Sequence, residues 1–190
     1  VNIGNIYLYQ ENYSKAKETY EKAVAIDEIL HNEVNLAQSY NNLGAVNRYL
    51  GEIETAIRYY KKSLAIREKF NNKEGIAENF LNIGDVFFQT KNIDSALTYL
   101  SKSLALYKEI GHQKGMTYAL NDIATCYVEK KDFPKAIVYL NQTVELGKKI
   151  GARDIIKEAY KNLSGVYEIQ GNYKSAYEFH QKYSTEKDSL

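Results

Sequence analysis

The sequence predicts an all-α solenoid of five stacked helix pairs, and three observations carry that expectation. Five alanines, Ala16, Ala56, Ala96, Ala136 and Ala176, stand forty residues apart. In the same frame run Ile3, Leu43, Ile83, Ile123 and Leu163, beside Gly4, Gly44, Gly84, Ala124 and Ser164, and no insertion breaks the register. Such a fixed period marks a repeat architecture, in which no unit buries its apolar face alone and each stacks on the next. The third observation is local: apolar residues within a unit follow the three-and-four spacing of an amphipathic helix, and the whole chain holds one proline in 190 residues.

The frame divides a single array, 1–190, into units at about 1–32, 33–72, 73–112, 113–152 and 153–190, the first with a truncated opening helix. In the second unit Leu36, Tyr40, Leu43, Val46 and Leu50 predict helix A over about 34–50, with Asn47 out of character on that stripe. A break at Gly51-Glu52 follows, and Ile53, Ala56, Ile57, Tyr60, Leu64 and Ile66 then predict helix B from about 53. The break recurs as Lys91-Asn92, Lys131-Asp132 and Gly171-Asn172, where Asn or Asp can accept the free N–H groups of the next helix. Helix B ends at His31, Asn71, Gly111 and Gly151, a column in which Gly and Asn tolerate left-handed geometry. Pro134 falls in a first turn, where its missing N–H does no harm. The alanine and glycine columns predict the close crossings between paired helices, since two backbones meet there. The first unit lacks the residues that should precede Val1, so the chain is expected to extend upstream, with further chain downstream left open. In the last unit Ser184 and Glu186 replace apolar columns, which predicts a polar capping repeat.

Composition excludes several function classes. A formal charge of +1 with scattered Lys pairs lacks the basic block of a nucleic-acid arm, so no nucleic-acid partner is expected. No apolar run is long enough to span a bilayer, and no membrane insertion is expected in this segment. Cys126 occupies a column otherwise filled by Ile and Val and reads as a small core residue. His31, His112 and His180 have neither metal-ligand spacing nor neighbouring cysteines, and they read as surface or cap residues. No nucleophile elbow, phosphate loop or dinucleotide fingerprint occurs, so neither an enzyme nor a cofactor nor a metal is expected. Compartment stays open between cytoplasm and periplasm.

These columns resemble the tetratricopeptide repeats. In that motif an aromatic, Leu-Gly, an aromatic, Ala, an aromatic and a small residue run along two antiparallel helices. The second unit fills those places with Tyr40, Leu43-Gly44, Asn47, Ala56, Tyr60 and Ser63, and the third with Phe80, Ile83-Gly84, Phe87, Ala96, Leu100 and Ser103. The fourth has Leu120, Ile123-Ala124, Tyr127, Ala136, Leu140 and Thr143; the fifth has Tyr160, Leu163-Ser164, Tyr167, Ala176, His180 and Tyr183. The forty-residue period is similar to the long-helix variety of polarity adaptors, kinesin light chains and bacterial sensor or pheromone-receptor proteins. The resemblance implies a right-handed superhelix with the A helices inside and a protein or peptide bound in the concave groove.

One polar column points to that groove. Asn2, Asn42, Asn82, Asp122 and Asn162 recur two residues after the aromatic column, about 200° around the helix from the core-facing position. Asparagine is a mediocre helix-interior residue, yet its paired donor and acceptor suit a peptide backbone. Two readings stand: a ladder for an extended ligand, or amides that bond neighbouring helices. The stripe around the column runs Gln38, Asn42, Ala45, Tyr49, then Glu78, Asn82, Asp85, Gln89, then Tyr118, Asp122, Thr125, Glu129, then Glu158, Asn162, Gly165, Ile169. It leans acidic, with Arg48 and Lys161 one position off, and lacks the repeated Lys-and-Asn arrangement by which some members of that family hold acidic tails. The expected partner is therefore a neutral-to-basic peptide segment, with Tyr9, Tyr49 and Tyr118 as aromatic contacts. Three functions are compatible: a binding scaffold, the sensing input of a larger signalling protein, or a structural spacer.

Overall fold

The computed structural model describes residues 2–188, with side chains described through residue 186. Ten helices follow one another: α1 (Asn2–Tyr9), α2 (Tyr13–Ile29), α3 (Glu33–Tyr49), α4 (Ile53–Lys69), α5 (Lys73–Gln89), α6 (Ile93–Glu109), α7 (Gln113–Glu129), α8 (Phe133–Ile150), α9 (Arg153–Ile169) and α10 (Tyr173–Asp188). Odd-numbered helices are the A helices of the five units and even-numbered ones the B helices. Each helix packs on the next along the chain, as expected of a solenoid. Successive A helices also touch, α3 on α5, α5 on α7 and α7 on α9, whereas successive B helices stand apart. The array therefore curves with the A helices on its inner face.

Small residues mark the crossings. Ala16, Ala56, Ala96 and Ala136 are wholly buried, and a Cβ on Gly4, Gly44 or Gly84 would meet Tyr20, Tyr60 or Leu100 at under 3 Å. Where that partner column carries Leu140 or His180, the glycine gives way to Ala124 or Ser164. A second size match joins neighbouring units. Arg67 and Tyr107 lie over Gly75 and Gly115 of the next A helix, while Gly147 receives Ile156. Cys126 is buried in the core between α6 and α7, and burial pushes its thiol up to about 12.

Most helix starts carry a side-chain cap, the expected Asn92, Asp132 and Asn172 among them. Asn12, Asn32, Asn72, Asn92, Asp132 and Asn172 accept from the backbone N–H three residues on, and His112 does the same through Nδ1. Glu52 and Ala152 give no side-chain cap. Left-handed residues close every turn, and here the structure goes beyond expectation. Besides His31, Asn71, Gly111 and Gly151, the A-to-B turns hold Glu11, Lys91 and Lys131 at φ 56, 61 and 59°, in a column whose other members are Gly51 and Gly171. Pro134 sits in the first turn of α8.

Candidate ligand-binding face

The inner face is built by the A helices, and its floor between units two and three is a polar network. Arg67, buried at the end of α4, donates to Gly75 O (2.6 Å), Asn79 Oδ1 (2.9 Å) and Gln38 Oε1 (3.1 Å) and pairs with Glu78 at 2.9 Å. Asn79 Nδ2 donates to Asn41 Oδ1 at 3.2 Å, and Asn41 Nδ2 donates to Glu78 Oε1 at 3.2 Å. This satisfies a buried guanidinium, whose isolation would be costly.

The asparagine column meets this network unevenly. Asn82 Nδ2 donates to Asn41 Oδ1 at 3.0 Å, so its amide ties units two and three, as the structural reading of the column expects. Removing Asn82 should therefore loosen the array, so at this position the inter-helix reading of the column has a bond behind it. Asn42 differs: its Oδ1 accepts from Gln38 Nε2 at 3.1 Å, while its Nδ2 is buried with no partner. Asn162 and Asp122 are half-buried on α9 and α7, and Asn2 is exposed on α1. Glu129 pairs with Lys91 at 2.8 Å across units three and four, so it too supports the array. Tyr49 is half exposed and stacks on Tyr13, 5.1 Å between centroids, with the Arg48 guanidinium 4.6 Å from its ring centroid. Tyr118 and Tyr9 are exposed.

Electrostatics concentrate where α3, α5 and α7 meet. Burial raises the Asp85 carboxyl to about 6, against the pull of Arg48, and raises Asp122 well above the usual carboxylate range, with Asp85 adding repulsion. Arg48 Nε has no hydrogen-bond partner, and the hydroxyl of the wholly buried Tyr60 lies close to the same guanidinium. A cleft of about 350 Å³ opens beside them, lined by Arg48, Tyr49, Asp85, Phe88 and Gln89. Among the described residues no cluster of His, Cys, Asp or Glu has metal-binding geometry, and no helix is long and apolar enough to cross a membrane.

A tetratricopeptide-repeat family model matches residues 1–69 and 75–149. The chain is a tetratricopeptide repeat protein. Solved structures agree on the fold. BtubC (BKLC) from P. vanneervenii superposes with a TM-score of 0.82 at 17% identity over 98% of this chain and 77% of that one. A Rap protein complexed with competence and sporulation factor gives 0.86 at 17%, over 96% of this chain and 51% of that one. A signal transduction ATPase of the STAND type with a tetratricopeptide repeat sensor, from Pyrococcus horikoshii, gives 0.85 at 22%, over 98% and 28%. This repeat array thus spans about half the Rap chain and less than a third of the ATPase. No curated protein matches the sequence.

Two features of this repeat protein escaped the sequence reading. Arg67, Asn41 and Asn79 carry the inner network although none belongs to a uniform column. On the outer side Tyr59, Tyr99, Tyr139 and Phe179 form a forty-residue aromatic column of the B helices, stacking on Tyr40, Phe87, Tyr127 and Tyr167. Lys62, Lys102 and Lys182 cover these rings, and their shared spacing was the available signal.

Proposed function

We propose that this repeat protein is a scaffold that binds a protein or peptide segment along the inner face of its A helices. The observation that carries the reading is the unspent hydrogen-bonding capacity of that face. Asn42 Nδ2 and Arg48 Nε are both unpartnered, and Arg48 lines an open cleft, whereas buried polar groups are ordinarily satisfied. An extended peptide brings the missing groups, since its carbonyls accept what Asn42 and Arg48 donate and its N–H groups reach Asp85 and Asn162. Tyr49 and Tyr118 supply aromatic area to such a segment. The Rap structures, solved with competence and sporulation factor and with the Phr* peptide, support the reading by analogy of fold.

Acidic residues lining the face favour a neutral-to-basic segment. A second reading, the sensing input of a larger signalling protein, draws on the likeness to the sensor-bearing ATPase. It requires an output domain in the same gene.

Panning a random linear peptide library on the immobilised array tests the first reading. Selected peptides should bind an outer-face variant, Arg58→Ala with Lys61→Ala, as well as the wild type. They should bind an inner-face variant, Asn42→Ala with Tyr49→Ala, more weakly, each lost hydrogen bond costing about 0.5–1.5 kcal/mol. Peptides that bind both variants equally, or lose affinity only with the outer one, would remove the assignment.

A further inference from the structure

Every joint between units buries the same columns. Leu43 and Val46 on α3 cluster with Ala16 and Tyr20 of α2, Ile83 and Val86 on α5 with Ala56 and Tyr60 of α4, and Ile123 and Cys126 on α7 with Ala96 and Leu100 of α6. Leu163 and Val166 on α9 meet Leu140 of α8 in the same way. All eight of these A-helix residues are at most 2% exposed. In the first joint a ring pair adds to the contact, Tyr13 of α2 stacking on Tyr49 of α3.

The joint columns continue onto α1 and α10, and there they lie open. Ile3 and Ile6 stand in the columns of Leu43 and Val46 yet are 62% and 54% exposed, and Tyr9, in the Tyr49 column, is 89% exposed. On α10, Tyr173 and Tyr177 are 73% and 63% exposed, whereas Ile53, Ile93 and Phe133 in the first column and Ile57, Leu97 and Ile137 in the second are half-buried. The open faces also match in register. Tyr49 follows Tyr13 by thirty-six residues, and when a second copy is placed after five forty-residue units, its Tyr9 follows Tyr173 by the same thirty-six. Its Ile3 and Ile6 likewise fall against Ala176 as Leu43 and Val46 fall against Ala16. The two faces are the two halves of one joint, and apolar surface of this kind gains from being covered.

We infer that these faces bind each other between copies of this chain, α1 of one copy seating on α10 of the next as α3 seats on α2. Ile3 and Ile6 cover Ala176 and His180, and Tyr9 stacks on Tyr173. Because the faces differ, the contact is heterologous and extends the array head to tail instead of closing as a two-fold dimer. The joint is weaker than those inside the chain and forms reversibly: exposed His180 replaces the buried Tyr or Leu of the internal joints, and α1 supplies 8 residues where the other A helices supply 17. The polar Ser184 and Glu186 lie on the C-terminal half of α10, whereas in the internal register the residues of α1 meet only its N-terminal half.

Sedimentation velocity of the 190-residue chain from micromolar to millimolar concentration tests this. The weight-average mass should rise with concentration past that of a dimer. Ile6→Lys on the first face, and Tyr173→Lys with Tyr177→Lys on the second, should each weaken self-association by at least about tenfold. All three residues are exposed, so the fold is retained, and circular dichroism checks it. Mixed together, the two variants should associate again and stop at a dimer, since each keeps one intact face. A wild type that stays monomeric at every concentration overturns the proposal and leaves the faces to a helix of another protein. A dimer that either variant forms alone overturns it as well, because it shows a face pairing with itself.

Discussion

Asp122 is held against its own titration. A carboxyl whose folded pKa is raised binds its proton more tightly in the folded chain. Its contribution to stability is therefore complete below the unfolded value of about 4 and is lost as pH rises through the folded value, which is about 6 for Asp85 and well above the ordinary carboxylate range for Asp122. Asp122→Asn should accordingly match the wild type in urea unfolding at pH 4 and be the more stable protein at pH 8. A pH-independent difference would show that the Asp122 carboxyl is solvated like any surface acid. At the same scale, Gly115 is fixed by Tyr107, whose ring would lie 2.5 Å from an added Cβ. Gly115→Ala should destabilise the array by about 1–3 kcal/mol through overpacking. Tyr107→Leu in the same chain should recover part of it, and additive losses in that double-mutant cycle would refute the contact. Of these residues the sequence displayed Asp122 and Asp85 on the polar stripe but concealed Arg67 and Tyr107. Their column reads Asp27, Arg67, Tyr107, Gly147, and its logic is size complementarity with the following A helix rather than a shared residue type.

Helices and turns were far more legible, because their determinants are local and repeat. Spacing predicted helix A of the second unit at about 34–50 and helix B from 53, and the structure places them at Glu33–Tyr49 and from Ile53. The Asn and Asp caps were read correctly for the same reason: a cap needs only a short acceptor at one position. Left-handed geometry was legible where glycine or asparagine advertised it and missed at Glu11, Lys91 and Lys131, whose residue types give no sign of it. The turn is dictated there by the packing of the two helices it joins. Lys131→Gly should therefore stabilise the array by about 0.5–1 kcal/mol, the relief of an unfavourable φ exceeding glycine's added chain entropy. Gly171→Ala, at φ 73° in the same column, should destabilise it. Thermal or urea unfolding of the two variants decides the matter, and shifts of the same sign would contradict the assignment.

Over the whole molecule, stacking gives the two sides of the array different work. Contacts run from each helix to the next and from A helix to A helix, so the array has no central core and its curvature depends on the unit-to-unit joints. Arg67, Asn41, Asn79 and Asn82 form one such joint, and ion pairs such as Lys17–Glu52 and Lys130–Asp94 cross others at the rim, where solvent leaves them little weight. The outer side closes its aromatic column under lysines. Among the described residues the inner side combines unpartnered donors, crowded carboxylates and exposed tyrosines. The fold was thus legible from period and pattern, whereas the hydrogen bonds that tie Asn82 but not Asn42 to a neighbouring unit needed the relative placement of units. The central claim, that a peptide lies along the A helices, is tested most directly by an amide NMR titration of the array with a peptide selected from a random library. Resonances of α3, α5, α7 and α9 should shift, most strongly around Asn42, Arg48, Asp85 and Asp122, while those of α4, α6 and α8 stay in place. Shifts confined to the even-numbered helices would contradict the account.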